Sequence, residues 1–165
     1  MAIDPLTIAV RAEDPAGAEA LALVAELSAV LTALTGASGQ ASFDVSDVQG
    51  PRACFALARD AHGRALGCGA LRPLAGDSAE VKRMFARPGT RGVGSAVLRF
   101  LEGEAARWGY AVLRLSTRRV NERAVAFYER HGYRRIPGYG HYAGSEVSVC
   151  FEKRLLPVRS DKAPT

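Results

Sequence analysis

The 165-residue chain has few of the side chains that most often hold metals or form cross-links: three His, three Cys and two Met. The histidines are scattered and fall into no zinc-ligand spacing. Cys54, Cys68 and Cys150 cannot all pair, and none sits in a C-x-x-C spacing. Each lies in an apolar, strand-like run, so buried reduced thiols are expected. A chemistry that uses neither metal nor thiol follows. No apolar run approaches the roughly 20 residues of a membrane span. The start, Met1-Ala-Ile-Asp-Pro5, is acidic before it is apolar, unlike a secretory signal. A cytoplasmic protein with no membrane partner is therefore expected. Repeats, low-complexity stretches and interdomain linkers are also missing. One domain over residues 1–158 is expected, with 159–165 as a disordered tail. At 48% hydrophobic and 24% charged, the composition excludes a disordered chain and a disulfide-stapled miniprotein.

Lysine is scarce too: 19 of the 22 basic residues are Arg. The net charge of +5 is unevenly spread. Residues 1–78 carry 5 Arg against 9 acidic residues, a net of −4. Residues 79–165 carry 17 basic and 8 acidic residues, a net of +9. Such a split points to an anion meeting the C-terminal half. A nucleic acid, a phosphorylated small molecule and an acidic protein are all open at this level. A high-GC genome that writes Arg for Lys produces the same excess.

Hydrophobic spacing gives the element order. Leu6–Val10 reads as a strand. Asp14-Pro15 offers an N-cap with Pro at the first helical position, and Gly36 offers a stop. Between them Leu23, Leu27, Val30 and Leu34 recur at helical spacing, and Leu21, Val24 and Leu31 add a second apolar side. That helix is expected to be covered on more than one side. Thr35–Ser46 is polar and glycine-rich, a mobile loop. Arg52–Arg59 and Ala65–Leu74 read as strands joined by a hairpin turn at Asp60-Ala-His-Gly63. Glu80–Phe85 is a further strand. A helix with Val93, Val97, Leu101, Ala105 and Trp108 on one face follows and ends at Gly109. Val112–Thr117 is a strand, and Asn121 caps a short helix closed by Gly132. Tyr133–Ile136 and Val147–Arg154 complete the pattern. Its order, β-α-β-β-β-α-β-α-β-β, is that of a mixed α/β domain with one sheet.

The junction from Phe85 to Ala96 carries the strongest chemical signal. An apolar strand turns through Gly89, Gly92 and Gly94 into a helix, beside Arg87 and Arg91. Glycine lets the backbone approach a ligand, and the unpaired N–H groups of a first helical turn attract anions. The arrangement suits a pyrophosphate. It is not a Walker-A loop, for which a lysine is lacking. Nor is it a dinucleotide fingerprint, since Val97 stands where the third glycine belongs.

The segment resembles the acetyl-CoA-binding core of the GNAT superfamily of N-acetyltransferases. Arg91, Gly94 and Ala96 match its signature of Arg or Gln, two residues, Gly, one residue, then Gly or Ala. About 25 residues later, Asn121-Glu-Arg-Ala-Val-Ala-Phe-Tyr-Glu-Arg-His-Gly-Tyr133 is similar to its second motif. The resemblance covers roughly Leu6 to Leu155 and is specific mainly between Glu80 and Tyr133. Members commonly place loop and helix about two residues longer than this chain does. The preferred register matches Arg91. The alternative pairs Gly92-Val-Gly94 with the final glycines and puts Gly89 where Arg or Gln is usual, which leaves the phosphate-contacting amides open by two positions. The resemblance implies a central mixed sheet with a splayed strand pair and helices on both faces. It implies acetyl-CoA as cosubstrate, no metal, and direct transfer of the acetyl group to an amine in a ternary complex.

The same resemblance assigns roles. An amine attacks only when neutral, so a base must accept its proton. Glu80, at the start of the strand beside the cosubstrate, is the candidate base, and His141 is the second choice. As a plain structural residue Glu80 would pair with Lys82. Backbone amides around Met84 and Phe85 are candidate oxyanion donors. Tyr128 is the candidate acid for the leaving thiolate, or else a core aromatic. Arg87, Arg91, Gly92, Val93, Gly94 and Ser95 are expected to hold the pyrophosphate. Arg118, Arg119 and Arg123 are further phosphate candidates, and Asn121 is both helix cap and contact to the cosubstrate arm. Tyr139, His141 and Tyr142, in an aromatic-rich loop, are candidate acceptor contacts, and Thr35-Gly-Ala-Ser-Gly39 is placed to close over the acceptor. The acidic N-terminal half favours a cationic amine.

Three readings follow. The first is an N-acetyltransferase acting on a small amine, an amino acid or a peptide N-terminus, with a homodimer permitted by the apolar first helix. The second is a CoA-binding sensor or interaction domain without catalysis. The third, a nucleic-acid binder, lacks interleaved aromatics and a recognition helix, so no nucleic-acid partner is expected.

Overall fold

A computed structural model describes residues 7–39 and 43–155. The expectations for Leu6, for residues 40–42 and for the tail at 159–165 lie outside the described residues. Seven strands and three α-helices follow in the expected order. They are β1 (Ala9–Glu13), α1 (Ala18–Thr35), β2 (Cys54–Arg59), β3 (Ala65–Pro73), β4 (Ser78–Ala86), α2 (Val93–Arg107), β5 (Val112–Arg118), α3 (Glu122–Arg130), β6 (Arg134–Ile136) and β7 (Ser148–Arg154). Short 3-10 turns sit at Val45–Val48 and Gly140–Tyr142. One sheet runs β1-β2-β3-β4-β5-β7-β6. Its pairs are antiparallel except β4 with β5, which are parallel.

Helices cover both faces. On one, Ala20 and Leu23 of α1 join Phe55, Leu57, Cys68 and Ala70 in a buried cluster. On the other, Val93, Val97, Leu98, Leu101 and Ala105 of α2 join Val81, Leu113, Tyr128 and Phe151. Burial of each large aliphatic side chain here is worth about 1.5–3 kcal/mol. Cross-face packing is tight at Gly69 of β3, where a Cβ would meet Met84 Sδ at 2.6 Å and Val97 Cγ1 at 2.8 Å.

Several boundaries move. The cap of α1 is Gly17, not Asp14. Asp14 instead builds the preceding turn, its side chain accepting from Ala16 N at 2.9 Å and its carbonyl from Gly17 N at 3.0 Å. The helix is covered on one side only, with Leu21, Val30 and Leu34 each about half exposed. Its 18 residues, mean hydropathy 1.6, are long and apolar enough by composition for a membrane span, contrary to the sequence expectation. Strand β2 begins at Cys54 because Arg52 leaves the pleat at φ 58°. The Arg52 guanidinium lies 4.0 Å over the Tyr110 ring. In β7 Val147 is left outside and exposed, while Cys150 is buried along with Val149 and Phe151.

Candidate active site

Strands β4 and β5 pair only from Ser78–Glu80 to Val112–Arg114. Beyond that point β4 follows β3 and β5 follows β7, so the sheet opens between them. A strand's amide and carbonyl groups point alternately to its two edges, and past Glu80 one edge of β4 has no partner strand. A cavity of about 520 Å³ fills the gap. It is walled by α1 (Leu27, Leu31) on one face of the sheet, by α3 (Asn121, Tyr128) on the other, and by β4 between.

A bulge reshapes β4 where it borders the cavity. Register with β3 slips between Cys68–Phe85 and Ala70–Lys82, and Arg83 takes a left-handed φ of 54°. Ala79 and Val81 face the α2 side, and so does Met84, three residues after Val81 instead of two. The extra residue leaves Lys82 and Arg83 together on the α1 side, where Phe85 then joins the α1 cluster. Bulges re-aim side chains in this way beside functional sites.

Glu80 is buried, at 1% exposure. Its Oε1 accepts from Arg72 Nε at 2.7 Å, its Oε2 accepts from the Tyr139 hydroxyl, and Lys82 Nζ is 3.6 Å from Oε1. The expected pairing with Lys82 is present, but the closer partner is Arg72. Lys82 Nζ also donates to the Tyr142 hydroxyl at 3.3 Å. Burial holds the Lys82 ammonium below its ordinary range against the opposing pull of Glu80. Tyr139 is pushed upward by burial and by the Glu80 carboxylate, so its hydroxyl keeps its proton. Tyr142 and His141 line the cavity and stack with ring centroids 3.9 Å apart. Tyr139 reaches the site through Glu80.

Tyr128 closes the α3 side. It is 7% exposed, and burial raises its pKa well above the usual phenol value. Asn121 caps α3, its Oδ1 accepting from Ala124 N at 3.2 Å, and also lines the cavity. Met84 lines it from β4, while Phe85 turns into the α1 cluster.

The glycine loop at the end of β4 leads into α2. Gly92 is the N-cap, left-handed at φ 72°, and no side chain caps the helix. A Cβ on Gly89 or Gly92 would meet nothing within 4 Å, so space over the loop is open. Val93 is buried, which leaves the first-turn amides of Val93, Gly94 and Ser95 as the groups presented. Ser95 Oγ is 2.9 Å from His131 Nε2, and His131 Nδ1 is 2.7 Å from the Phe127 carbonyl. A carbonyl only accepts, so Nδ1 carries a proton, and in the neutral imidazole Ser95 donates to Nε2. Arg87 reaches back toward α1, its Nε bonded to Glu26 at 2.8 Å and its Nη1 to the Ala65 carbonyl at 2.7 Å. Arg91 and Arg123 are exposed, Arg118 lines the cavity, and Arg119 donates to the Glu146 carbonyl.

Sequence reasoning passed over Arg72, Arg83 and the cavity role of Lys82. Its one available signal was two consecutive cations inside a largely buried strand. The N-terminal acids are engaged elsewhere: Glu13 and Glu19 pair with Arg59, Glu26 with Arg87, and Asp47 with Arg72. Charged residues along the cavity are Glu80, Lys82, Arg83 and Arg118, a positive balance. All three cysteines are buried and unpaired. Burial pushes the Cys54 and Cys68 thiols up to about 12, which makes them poor nucleophiles.

Residues 26–133 match the model of the acetyltransferase (GNAT) family. The chain is 30% identical over 151 residues to a protein of Azospirillum brasilense named IAA acetyltransferase, covering 90% of this chain and 98% of that one. A solved structure from Klebsiella pneumoniae, provisionally named an acyl-CoA N-acyltransferase, is 28% identical with a TM-score of 0.78, covering 90% of this chain and 98% of that one. In fold it also matches a GNAT-family acetyltransferase of Staphylococcus aureus Mu50, at TM-score 0.71 and 16% identity over 90% of this chain and 99% of that one. Fold, split sheet and family model agree: the chain belongs to the acetyltransferase (GNAT) family.

Proposed function

We propose that the protein transfers an acetyl group from acetyl-CoA directly to an amine within a ternary complex. The observation that carries this reading is the break between β4 and β5, open to both faces of the sheet, with α3, which lines it, touching the uncapped first turn of α2 through His131 and Ser95. Acetyl-CoA supplies the activated thioester. The amides of Val93, Gly94 and Ser95 suit its pyrophosphate, since a helix N-terminus with open space above it attracts an anion. Arg91 and Arg118 add positive charge. Asn121 borders the pantetheine arm.

The chain's own groups then divide the proton work. The backbone amide of Met84, just past the bulge, is assigned to the thioester carbonyl oxygen, since Phe85 is paired with Cys68 of β3. Glu80 accepts the proton of the attacking amine through water, for which the cavity has room. Tyr128 donates to the leaving thiolate; its burial keeps the phenol protonated at neutral pH. Tyr139 and Arg72 hold the Glu80 carboxylate in place.

Thiol release from acetyl-CoA across a panel of amines, amino acids and peptides tests the reading, alongside calorimetric titration with acetyl-CoA. Saturable binding and acceptor-dependent release are expected. Binding without release leaves a CoA sensor, and failure to bind millimolar acetyl-CoA rejects both.

A further inference from the structure

Resting on that acetyltransferase reading, we infer that the acceptor amine carries a carboxylate, as an α-amino acid does, and that the Nε–Nη2 edge of Arg83 binds it. Arg83 is 8% exposed and lines the cavity. Its Nη1 donates to the Ser38 carbonyl at 3.1 Å, and the Phe43 ring stands 5.5 Å from the guanidinium carbon. Nε and Nη2 are buried with no hydrogen-bond partner among the described residues. Those two nitrogens share one edge of the planar fork, with their N–H bonds parallel. That is the edge which takes both oxygens of a carboxylate.

Among the described residues no carboxylate serves this edge. Glu80 is bound by Arg72 and Tyr139, and Glu26 is bound by Arg87. A buried guanidinium with two unsatisfied donors is destabilising, and so is the left-handed backbone that carries it. A chain serving only its own stability would place an apolar residue here. The bulge instead puts Arg83 on the same face as Glu80 and Lys82, so that an acceptor held by its carboxylate on Arg83 lies along the strand from the group that takes its amine proton. Lys82 and Arg118 add to the positive field that draws such an anion in. As the side chain stands the edge is shut from water, so docking entails a rotation of Arg83 toward the cavity it lines. A peptide N-terminus, which has no carboxylate beside its amine, would leave the edge unsatisfied.

The test uses the full chain, acetyl-CoA and three matched probe sets: α-amino acids, their carboxamides and the corresponding decarboxylated amines. With the wild type, kcat/KM for the preferred acid is expected to exceed that for its carboxamide by about 100-fold, the scale of a charged hydrogen-bonded contact. Arg83→Gln and Arg83→Lys should bring the ratio close to one, mainly through KM, because neither presents a bidentate fork. Arg83→Met should fold with a Tm no lower than wild type and show the same loss of discrimination. Equal rates on acid and carboxamide in the wild type, or an unchanged ratio in Arg83→Gln, overturn the inference and leave the acetyltransferase reading standing. Acetyl-CoA binding with no transfer to any amino acid also overturns the inference alone. Absence of acetyl-CoA binding in calorimetry overturns the reading and the inference with it.

Discussion

Lys82 and Arg83, consecutive in the chain, look into one cavity from the same face of β4. Regular pleating would send them to opposite faces. The extra residue of the bulge places both beside Glu80, and it gathers three charged groups where the sheet splits. The consequences are measurable.

Tyr128→Phe should leave acetyl-CoA affinity nearly unchanged and lower kcat by roughly 100-fold, the usual scale of a positioned acid. The ring stays, so its contacts with Phe127, Tyr133 and Phe151 are kept. Calorimetry and steady-state thiol release separate the two quantities. A wild-type turnover would remove the hydroxyl from the mechanism.

Glu80→Gln should lower kcat/KM by roughly 100-fold near neutral pH while leaving acetyl-CoA affinity nearly unchanged, because an amide takes no proton. The amide still accepts from Arg72, so the cost in stability should stay near 1–3 kcal/mol in urea unfolding. If turnover is unchanged, the proton goes elsewhere, with His141 the next group to change.

Lys82→Met should alter the pH dependence of stability in one direction. Burial lowers the folded pKa below the ordinary 10.5. Between that lowered value and 10.5 the unfolded chain binds a proton that the native protein does not, so Lys82 makes stability rise with pH across this window. Below it the native ammonium is charged and its full desolvation penalty applies. The variant should therefore be more stable than wild type at neutral pH, with the difference shrinking as pH rises toward 10.5. Paired urea melts at several pH values test the difference, in which the buried tyrosines cancel.

Two glycine substitutions should move stability in opposite directions. Gly69→Ala forces a Cβ to within 2.6 Å of Met84 Sδ and 2.8 Å of Val97 Cγ1, and should cost about 1–3 kcal/mol. Gly103→Ala lies inside α2 with nothing within 4 Å and should stabilise by about 0.5–1 kcal/mol. Thermal unfolding of both variants is sufficient. A stabilised Gly69→Ala would mean that α2 does not sit against β3 as described.

Much of the fold is legible in residue order because its signals are local. Helical spacing from Val93 to Ala105, the apolar runs of β2 and β3, and glycine at 36, 63, 109 and 132 depend on neighbours a few positions away, and each of these glycines takes a left-handed turn. The Asn121 cap and the glycine loop before α2 are local in the same way. Where a boundary slipped, as at Asp14, a cap and a turn offered the same residue similar hydrogen bonds, and only the docking of Ala20 and Leu23 chose between them.

The candidate site divides along the same line. Glu80 and Tyr128 were named from the family resemblance and Asn121 first as a helix cap, signals that mark where a strand and a helix begin. Arg72 as the partner of Glu80, Arg83 with its unsatisfied edge, and the commitment of Arg87 to Glu26 all depend on contacts between segments far apart in sequence. The scarcity of His, Cys and Lys was a property of the chain alone, and it narrowed the chemistry before any fold was known. Which of its many arginines are neutralised, and which is held over the cavity with donors to spare, only the tertiary structure decided. Charge in a sequence has no partner until folding brings a carboxylate within hydrogen-bond reach or withholds one.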